Sequence, residues 1–256
     1  MSDGHPTGAV VIIPVFDGAD TVGATVEALG VYLPTGDHPS AGLIREIVVV
    51  DDGSRDHSAD IARSAGARVI VLPRNVGKGG AVAVGRTEAG VADQYLLLDA
   101  DLGMSAGLAV DLLAPVVAGE ASMAVAVFPE TGRSRGFGLV GRFAAGAIGE
   151  VTGRCPVEPL SGQRAIEGTL FRDLDLAPRF GLEVAMSIDV WEAGGSIVEL
   201  PLDLVHRATG RDVAGFRHRF GQGVDVMRAV VARRGPMFAA RQVVSAVATV
   251  RRAGRA

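Results

Sequence analysis

Five short aliphatic runs, 9–15, 44–51, 68–72, 95–99 and 122–128, are continuous in hydrophobicity and separated by helix-length amphipathic stretches at 21–31, 58–65, 79–89 and 106–117. Strand and helix in alternation, with strands apolar on both sides, predict an α/β fold whose mostly parallel sheet is flanked by helices. Ligands of such sheets gather beyond the carboxyl ends of the strands. Polar clusters fall at those ends: Phe16-Asp17-Gly18, Asp51-Asp52-Gly53-Ser54, Arg74-Asn75 and Asp99-Ala100-Asp101. The pattern therefore predicts one site assembled from four loops.

The second half is less regular. Segments 137–151 and 181–193 read as amphipathic helices, 196–200 as a short strand, and 216–234 as a long helix interrupted by Gly221 and Gly223. With 48 % hydrophobic and 21 % charged residues the chain is globular and not disordered. Mean hydropathy is positive, yet the most apolar stretches, 106–128 and 236–250, are broken by Asp111, Pro115 and Glu120 and by Arg241. No membrane span is expected, and the first residues lack the pattern of a secretion leader, so a cytoplasmic location is expected. Cys155, the one cysteine, excludes an internal disulfide and a multi-cysteine metal site, and reads as a packing residue.

A net charge of −4 gives no reason to expect nucleic acid as a partner. Charge is unevenly placed: Arg207, Arg211, Arg217, Arg219, Arg228, Arg233, Arg234, Arg241, Arg251 and Arg252 crowd the end of the chain, where acidic residues almost vanish. That end could face anionic lipid as a peripheral membrane contact, a phosphorylated substrate, or an acidic patch of a sister subunit in a homodimer. A solvated helix surface is the plain alternative.

Two carboxylates one residue apart just past a buried strand, Asp99 and Asp101, can both turn toward a hard cation. Oxygen ligands of that kind suit Mg2+ or Mn2+ and leave coordination positions for a diphosphate. A capping or solvated pair is the commoner use of such spacing, but the same crevice is expected to hold Asp52 and Lys78. Asp52 ends a buried strand, where an unpaired carboxylate would be costly. The Gly77-Lys78-Gly79-Gly80 setting lets backbone approach an anion near a helix start. It is not a Walker A loop, which would need Gly at Leu72 and Ser or Thr at Gly79. Nor is it a dinucleotide fingerprint, whose third Gly would stand at Val82. Lys78 can still meet phosphate as a point charge.

The ordered set Val11-Ile12-Ile13-Pro14, Val49-Val50-Asp51-Asp52-Gly53-Ser54-Arg55-Asp56, Asn75-Val76-Gly77-Lys78-Gly79-Gly80-Ala81 and Leu98-Asp99-Ala100-Asp101 resembles the family-2 glycosyltransferases of the GT-A fold, polyprenyl-phosphate glycosyltransferases among them. Glu158-Pro159-Leu160-Ser161-Gly162-Gln163-Arg164, Phe180-Gly181-Leu182-Glu183-Val184 and Val205-His206-Arg207 further resemble the glucosyl-3-phosphoglycerate synthase group, which are retaining enzymes. The resemblance covers about residues 9–230 and implies a single GT-A domain over 1–256. Residues 9–128 would form the nucleotide-sugar-binding half, 129–235 the acceptor half and 236–256 a C-terminal basic helix.

By resemblance, Pro14, Val15, Phe16, Asp17 and Asp52 cradle the nucleoside, Asp52 accepting from a base N–H, with Gly77, Lys78, Asp99 and Ala100 on the donor. Asp99, Asp101 and His206 are the implied metal ligands. Arg135, Leu160, Ser161, Gly162 and Arg207 are placed at the acceptor, and Glu183, Asp101 and Lys78 at the chemistry. Each has a plain alternative: Glu183 as a helix-start carboxylate favoured by the dipole, Lys78 as a surface lysine, and His206 as a structural histidine.

The sequence departs from its relatives at Asp17-Gly18, where Asn-Glu is usual, at Phe137, where a small hydroxyl residue is expected, and at Ala208, where a polar amide is expected. The last two lie on the acceptor side, so 3-phosphoglycerate is expected to be a poor acceptor. The expected function is metal-dependent transfer from a nucleoside-diphosphate sugar to a small-molecule acceptor, with retention. The alternative is inverting transfer to a lipid phosphate, polyprenyl phosphate, at the membrane surface. A sugar nucleotidyltransferase would need a glycine-rich loop containing Arg directly after the first strand, which Val15-Phe16-Asp17-Gly18 does not offer. A non-catalytic nucleotide-sugar-binding protein is the remaining class.

Overall fold

Strands β1 (Ala9–Val15) and β2 (Ile44–Asp51) pair in parallel from Ala9 opposite Ile44 to Val15 opposite Asp51. Their polar ends therefore emerge side by side. The computed structural model describes residues 8–128, 138–205 and 213–253, the side chains of 213–220 and 250–253 aside. Around this pair a seven-stranded sheet is built with β3 (Arg68–Val71), β4 (Gln94–Leu97), β5 (Met123–Val127), β6 (Arg164–Glu167) and β7 (Ile197–Pro201), in the order β3-β2-β1-β4-β6-β5-β7. Only β6 runs antiparallel to its neighbours, β4 and β5; the other pairings are parallel.

Alternate residues of the central strands enter two separate cores, which is why β1 is apolar throughout and β2 from Ile47 to Val50. Val11, Ile13, Val49 and Leu96 pack on the face covered by α1 (Val22–Gly30) and a 3-10 segment, Gly103–Leu112. Val10, Ile12, Val48, Val50 and Tyr95 pack on the other face, against α3 (Lys78–Ala89) and α7 (Leu182–Glu192). A third core joins α7 to α5 (Gly138–Thr152), α8 (Val213–Arg234) and α9 (Pro236–Ala253) through Phe143, Ile148, Val184, Ile188, Val230 and Phe238.

The sequence pattern and the structure differ at particular elements. Segment 106–117, expected as one helix, is the 3-10 run followed by a short helix, Leu113–Val117. Gly103 starts that run in a left-handed conformation (φ 53°), which an α-helix cannot continue. The long helix α8 passes Gly221 and Gly223 unbroken, and the missing side chain of Gly223 lets α8 approach Val140 of α5. Cys155 is exposed and does not pack a core. Among the described residues no helix is long and apolar enough to cross a membrane.

Three of the described arginines near the chain end fasten helices together, while exposed Arg228 meets Asp225 within α8 itself. Arg233 of α8 donates to both carboxylate oxygens of Asp189 of α7, at 2.7 and 2.6 Å, and to the Asp175 carbonyl oxygen. Arg234 pairs with Glu192 of α7, and Arg241 of α9 with Glu150 of α5 at 2.7 Å. The Arg233 pair is mostly shielded from water, with side-chain exposures of 12 % and 17 %, and is bidentate, the geometry in which an ion pair contributes most. Asp189→Asn is expected to lower stability by about 2 kcal/mol, seen as a fall of about 4–8 °C in thermal midpoint. An unchanged midpoint would mean that the pair contributes nothing net.

Candidate active site

The loops after β1 and β2 are laced to each other by backbone N–H groups meeting side-chain oxygens. Ser54 Oγ accepts from the N–H of Asp17, and Asp17 Oδ1 accepts from that of Arg55. Ser58 Oγ accepts from Gly18 N–H, and Asp56 Oδ2 from Ala19 N–H. Asp17 adopts φ 51°, a left-handed conformation that Asp tolerates better than most side chains. This is where the Asp17-Gly18 departure leads: the Asp17 carboxylate caps the neighbouring loop. Burial acts to raise the Asp56 carboxyl, but hydrogen bonds from Ser58 and Ala19 outweigh it and hold the group below the usual carboxylate range. Phe16 stands half exposed at the rim of these loops, while Val15 is buried in the core.

Asp52 is buried, and both of its oxygens are engaged: Oδ1 accepts from Val76 N–H at 2.7 Å and Oδ2 from Gly77 N–H at 2.8 Å. It thereby fixes the turn that launches α3. Gly77 is left-handed there (φ 85°). A side chain at Gly79 would overlap the Ala177 carbonyl oxygen, so in this structure that glycine serves packing against the segment before α7.

Lys78, the first residue of α3, projects from this turn between two carboxylates. Its Nζ lies 2.5 Å from Asp99 Oδ1 and 2.8 Å from Glu183 Oε1, the latter in the first turn of α7. Burial acts to lower the Lys78 pKa, but attraction to Asp99 and then Glu183 outweighs it, leaving the ammonium raised above the usual lysine value. Sequence reasoning quoted Gln163 and Arg164 in a motif and gave them no role. Gln163, fully buried, accepts from Asp99 N–H at 2.9 Å and donates to Asp99 Oδ2 at 2.8 Å. Arg164 is also buried and donates to the carbonyls of Ser161 and Pro159 and to Ser187 Oγ. Burial pushes its guanidinium down to about 10 against the attraction of Glu183, Glu199 and Asp99. Two cations and two carboxylates thus balance one another under the strand ends.

Gly162 lies directly over this cluster. A Cβ there would collide with Lys78 Nζ and come within 2.7 Å of Asp99 Oδ2. Pro14, Lys78, Gly162 and Glu183 enclose a void of about 10 Å³, room for one water and no substrate. Ser161 is buried, with its hydroxyl unpartnered among the described residues, and Leu160 is half-buried beside it. Asp101 instead lines a wide open cleft of about 630 Å³ together with Asp20, Thr21, Ala24, Leu102, Gly103 and Val205. Ala100, between the two carboxylates, offers its carbonyl oxygen to Thr25 of α1. Thr25 went unnoticed in the sequence because a threonine within a helix carries no motif.

The structure therefore brings together Pro14, Gly77, Lys78, Asp99, Gly162 and Glu183, with Asp101 opening beside them. Arg135, His206 and Arg207, and likewise Phe137 and Ala208, lie outside the described residues. Among the described residues no group of three His, Cys, Asp or Glu side chains is placed to hold a metal ion. Asp101 and Asp20 both border the open cleft, and carboxylate oxygens are the donor type that a hard divalent cation takes. Asp99 is already occupied by Lys78 and Gln163, and Val205, which precedes His206 in the chain, lines the same cleft.

This sheet order, with an acidic strand-end motif at its centre, is that of the GT-A class of glycosyltransferases. The model of glycosyl transferase family 2 matches residues 10–150, and the chain belongs to that family. It is 28 % identical over 207 residues to the glucosyl-3-phosphoglycerate synthase of Mycolicibacterium paratuberculosis, covering 72 % of this chain and 60 % of that relative's length. The glucosyl-3-phosphoglycerate synthase of Mycobacterium tuberculosis in complex with phosphoglyceric acid superposes with TM-score 0.76 at 25 % identity, over 90 % of this chain and 80 % of that one. Its complex with Mn2+, uridine diphosphate and glucosyl-3-phosphoglycerate gives TM-score 0.75 at 26 % identity, with 90 % and 80 % coverage. Fold class and family both agree with the motif reading.

The charge balance around Lys78 has a measurable pH signature. A lysine whose pKa is raised on folding stabilises fully below its unfolded value, and that stabilisation is lost as pH rises through the folded value. Lys78→Met would leave Asp99 and Glu183 facing each other without their cation. It is expected to cost about 3–5 kcal/mol near neutral pH. In the parent the Lys78 contribution is present below the usual lysine range and is lost only as pH rises above it. Urea titrations of both proteins near neutral pH check the cost, and equal unfolding midpoints would contradict the arrangement.

Proposed function

We propose that the protein is a divalent-metal-dependent glycosyltransferase that moves a sugar from a nucleoside-diphosphate sugar, of the uridine class, to a small phosphate-bearing acceptor with retention of configuration. The observation that carries this reading is the Lys78–Asp99–Glu183 cluster capped by Gly162, with Asp101 lining the adjoining cleft. The glucosyl-3-phosphoglycerate synthase of Mycobacterium tuberculosis has been solved with Mn2+ and with Mg2+, each together with uridine diphosphate, which supports both the donor class and the metal.

In this reading Asp101 and His206 hold Mg2+ or Mn2+, which when bound supplies Lewis-acid stabilisation of the leaving diphosphate. Asp99 is kept on the donor side by Lys78 and Gln163. The raised pKa of Lys78 keeps it protonated at working pH, so it acts as a fixed positive charge near the breaking bond and not as a proton donor. Pro14 and Phe16 border the nucleoside, with Val15 supporting them from the core, and Asp17 and Asp52 hold the loops that shape its crevice. Arg135 and Arg207 meet the acceptor phosphate, and the backbone of Leu160, Ser161 and Gly162 faces the reacting sugar.

Retention is supported by the position of Glu183. It sits behind Lys78 and Gly162 beside a void of water size, where an acceptor hydroxyl attacking from the opposite face would not find it as a base. The lipid-phosphate alternative draws less support, because Arg233, Arg234 and Arg241 are engaged with carboxylates of neighbouring helices.

Two outcomes test the reading. Asp101→Ala is expected to lower metal-dependent turnover of UDP-glucose or another UDP-sugar at least about 100-fold, and His206→Ala to raise the metal concentration for half-maximal turnover about 10-fold. Turnover and metal requirement equal to the parent in both variants would sink the metal assignment. In a competition assay at equal concentrations, 3-phosphoglycerate is expected to lose to a differently phosphorylated or less polar acceptor. Phe137 and Ala208 remove two polar partners, each worth roughly 1–3 kcal/mol if a buried group is left unpaired. Preferred turnover of 3-phosphoglycerate would show that these two positions do not select the acceptor.

A further inference from the structure

Thr25 is wholly buried in α1, yet its hydroxyl reaches out of the helix to both ends of one turn. It accepts from Gly103 N–H at 2.9 Å and lies 3.0 Å from the Ala100 carbonyl oxygen, to which it can donate. Ala100 and Gly103 are the first and last residues of the four-residue segment that carries Asp101. In an ordinary turn those two ends would bond to each other directly; here the hydroxyl is inserted between them. The same hydroxyl lies 3.1 Å from the Thr21 carbonyl one helical turn back, so its single proton is shared between that carbonyl and Ala100's, and the two acceptors together fix where its oxygen points.

We propose that Thr25 is a positioning residue whose hydroxyl holds the Ala100–Gly103 turn open and presets the Asp101 carboxylate toward the cleft before metal and donor diphosphate arrive. This inference rests on the proposed reading of that cleft as the metal and diphosphate site. The two carboxylates of the Asp99-Ala100-Asp101 motif are then set independently. Gln163, just before β6, grips Asp99 by its N–H and side chain, while Thr25, from α1, grips the turn of Asp101. Without the hydroxyl, the part-buried Gly103 N–H and Ala100 carbonyl would lose the partner that bridges them, which carries a cost. The turn would relieve that cost by closing on itself, rotating the peptides on either side of Asp101. Gly103 contributes its left-handed φ of 53°, and a Cβ there would meet no neighbouring atom. Gly103→Ala therefore strains the same turn without disturbing the core.

The test is Mn2+ binding in the presence of UDP, followed by the electron paramagnetic resonance signal of free Mn2+, on the full chain and on Thr25→Val, Thr25→Ser and Gly103→Ala. Thermal midpoints without metal and the metal dependence of turnover are measured alongside. Thr25→Val, nearly isosteric, and Gly103→Ala are each expected to weaken Mn2+ binding about 10-fold, the size seen when partners that orient a metal ligand are removed. Thr25→Ser should restore most of the loss, and turnover at saturating Mn2+ should fall far less than turnover at limiting Mn2+. A purely structural threonine would lower the midpoint and leave Mn2+ affinity alone. Parent-like Mn2+ affinity in Thr25→Val overturns the proposal while leaving the functional reading intact; should that variant not fold, parent-like affinity in Gly103→Ala does the same. If the parent chain binds no Mn2+ with UDP, the functional reading fails and this inference falls with it.

Discussion

The contact on which the rest of the site depends is the Lys78 ammonium lodged between Asp99 and Glu183. Its three members come from the start of α3, the end of β4 and the start of α7, elements brought together by tertiary packing alone. Bare charges at that depth would be expelled or neutralised. They persist because Arg164 balances the second carboxylate, Gln163 satisfies Asp99, and Asp52 fixes the turn from which Lys78 departs. Breaking any one partner leaves a neighbour unpaired, so the cluster behaves as a unit. Gly162 closes it from above, which explains why no side chain is tolerated there in this arrangement.

Two carboxylates of one motif stand in different surroundings. Asp99 is engaged on both oxygens by Lys78 and Gln163, joining sheet to helices, whereas Asp101 lies at the edge of an open cleft. The loops after β1 and β2 follow the same logic. Their amides are bonded to Ser54, Asp56 and Ser58, so the crevice edge is held by short polar side chains before any nucleotide is present. Pre-bonded edges of this kind reduce what ligand binding must order.

Much of this was legible in the sequence, and the parts that were not share a cause. Strands β1 and β2 match their aliphatic runs residue for residue, because strands buried on both faces carry a continuous apolar stretch, as Ala9–Val15 and Ile47–Val50 do. Strand β6 escaped notice: its four residues, Arg164 to Glu167, begin and end with charge and show neither period. Its place in the sheet follows from pairing with β4 and β5, and Arg164 can be buried there because carbonyls of Pro159 and Ser161 meet its guanidinium. Local pattern does not report on partners that distant in sequence. The same limit applies in the site: Asp52, Lys78, Asp99 and Glu183 could be named from motifs, but the pairing of Asp52 with the Val76 and Gly77 amides, and the parts of Gln163 and Thr25, exist only in three dimensions.

The arginine-rich end shows how one composition supports opposite readings until partners are seen. As a run of like charge it suggests an anionic surface outside the molecule. In the fold, Arg233 and Arg234 of α8 meet Asp189 and Glu192, and Arg241 of α9 meets Glu150. The acidic partners of these three sit on α5 and α7, far back in sequence, so their positive charge is met only after folding. Helix α7 carries Asp189 and Glu192 on the side facing α8 and Glu183 at its first turn against Lys78. The same helix is thus held by ion pairs at both ends, one set at the site and one at the C-terminal helices.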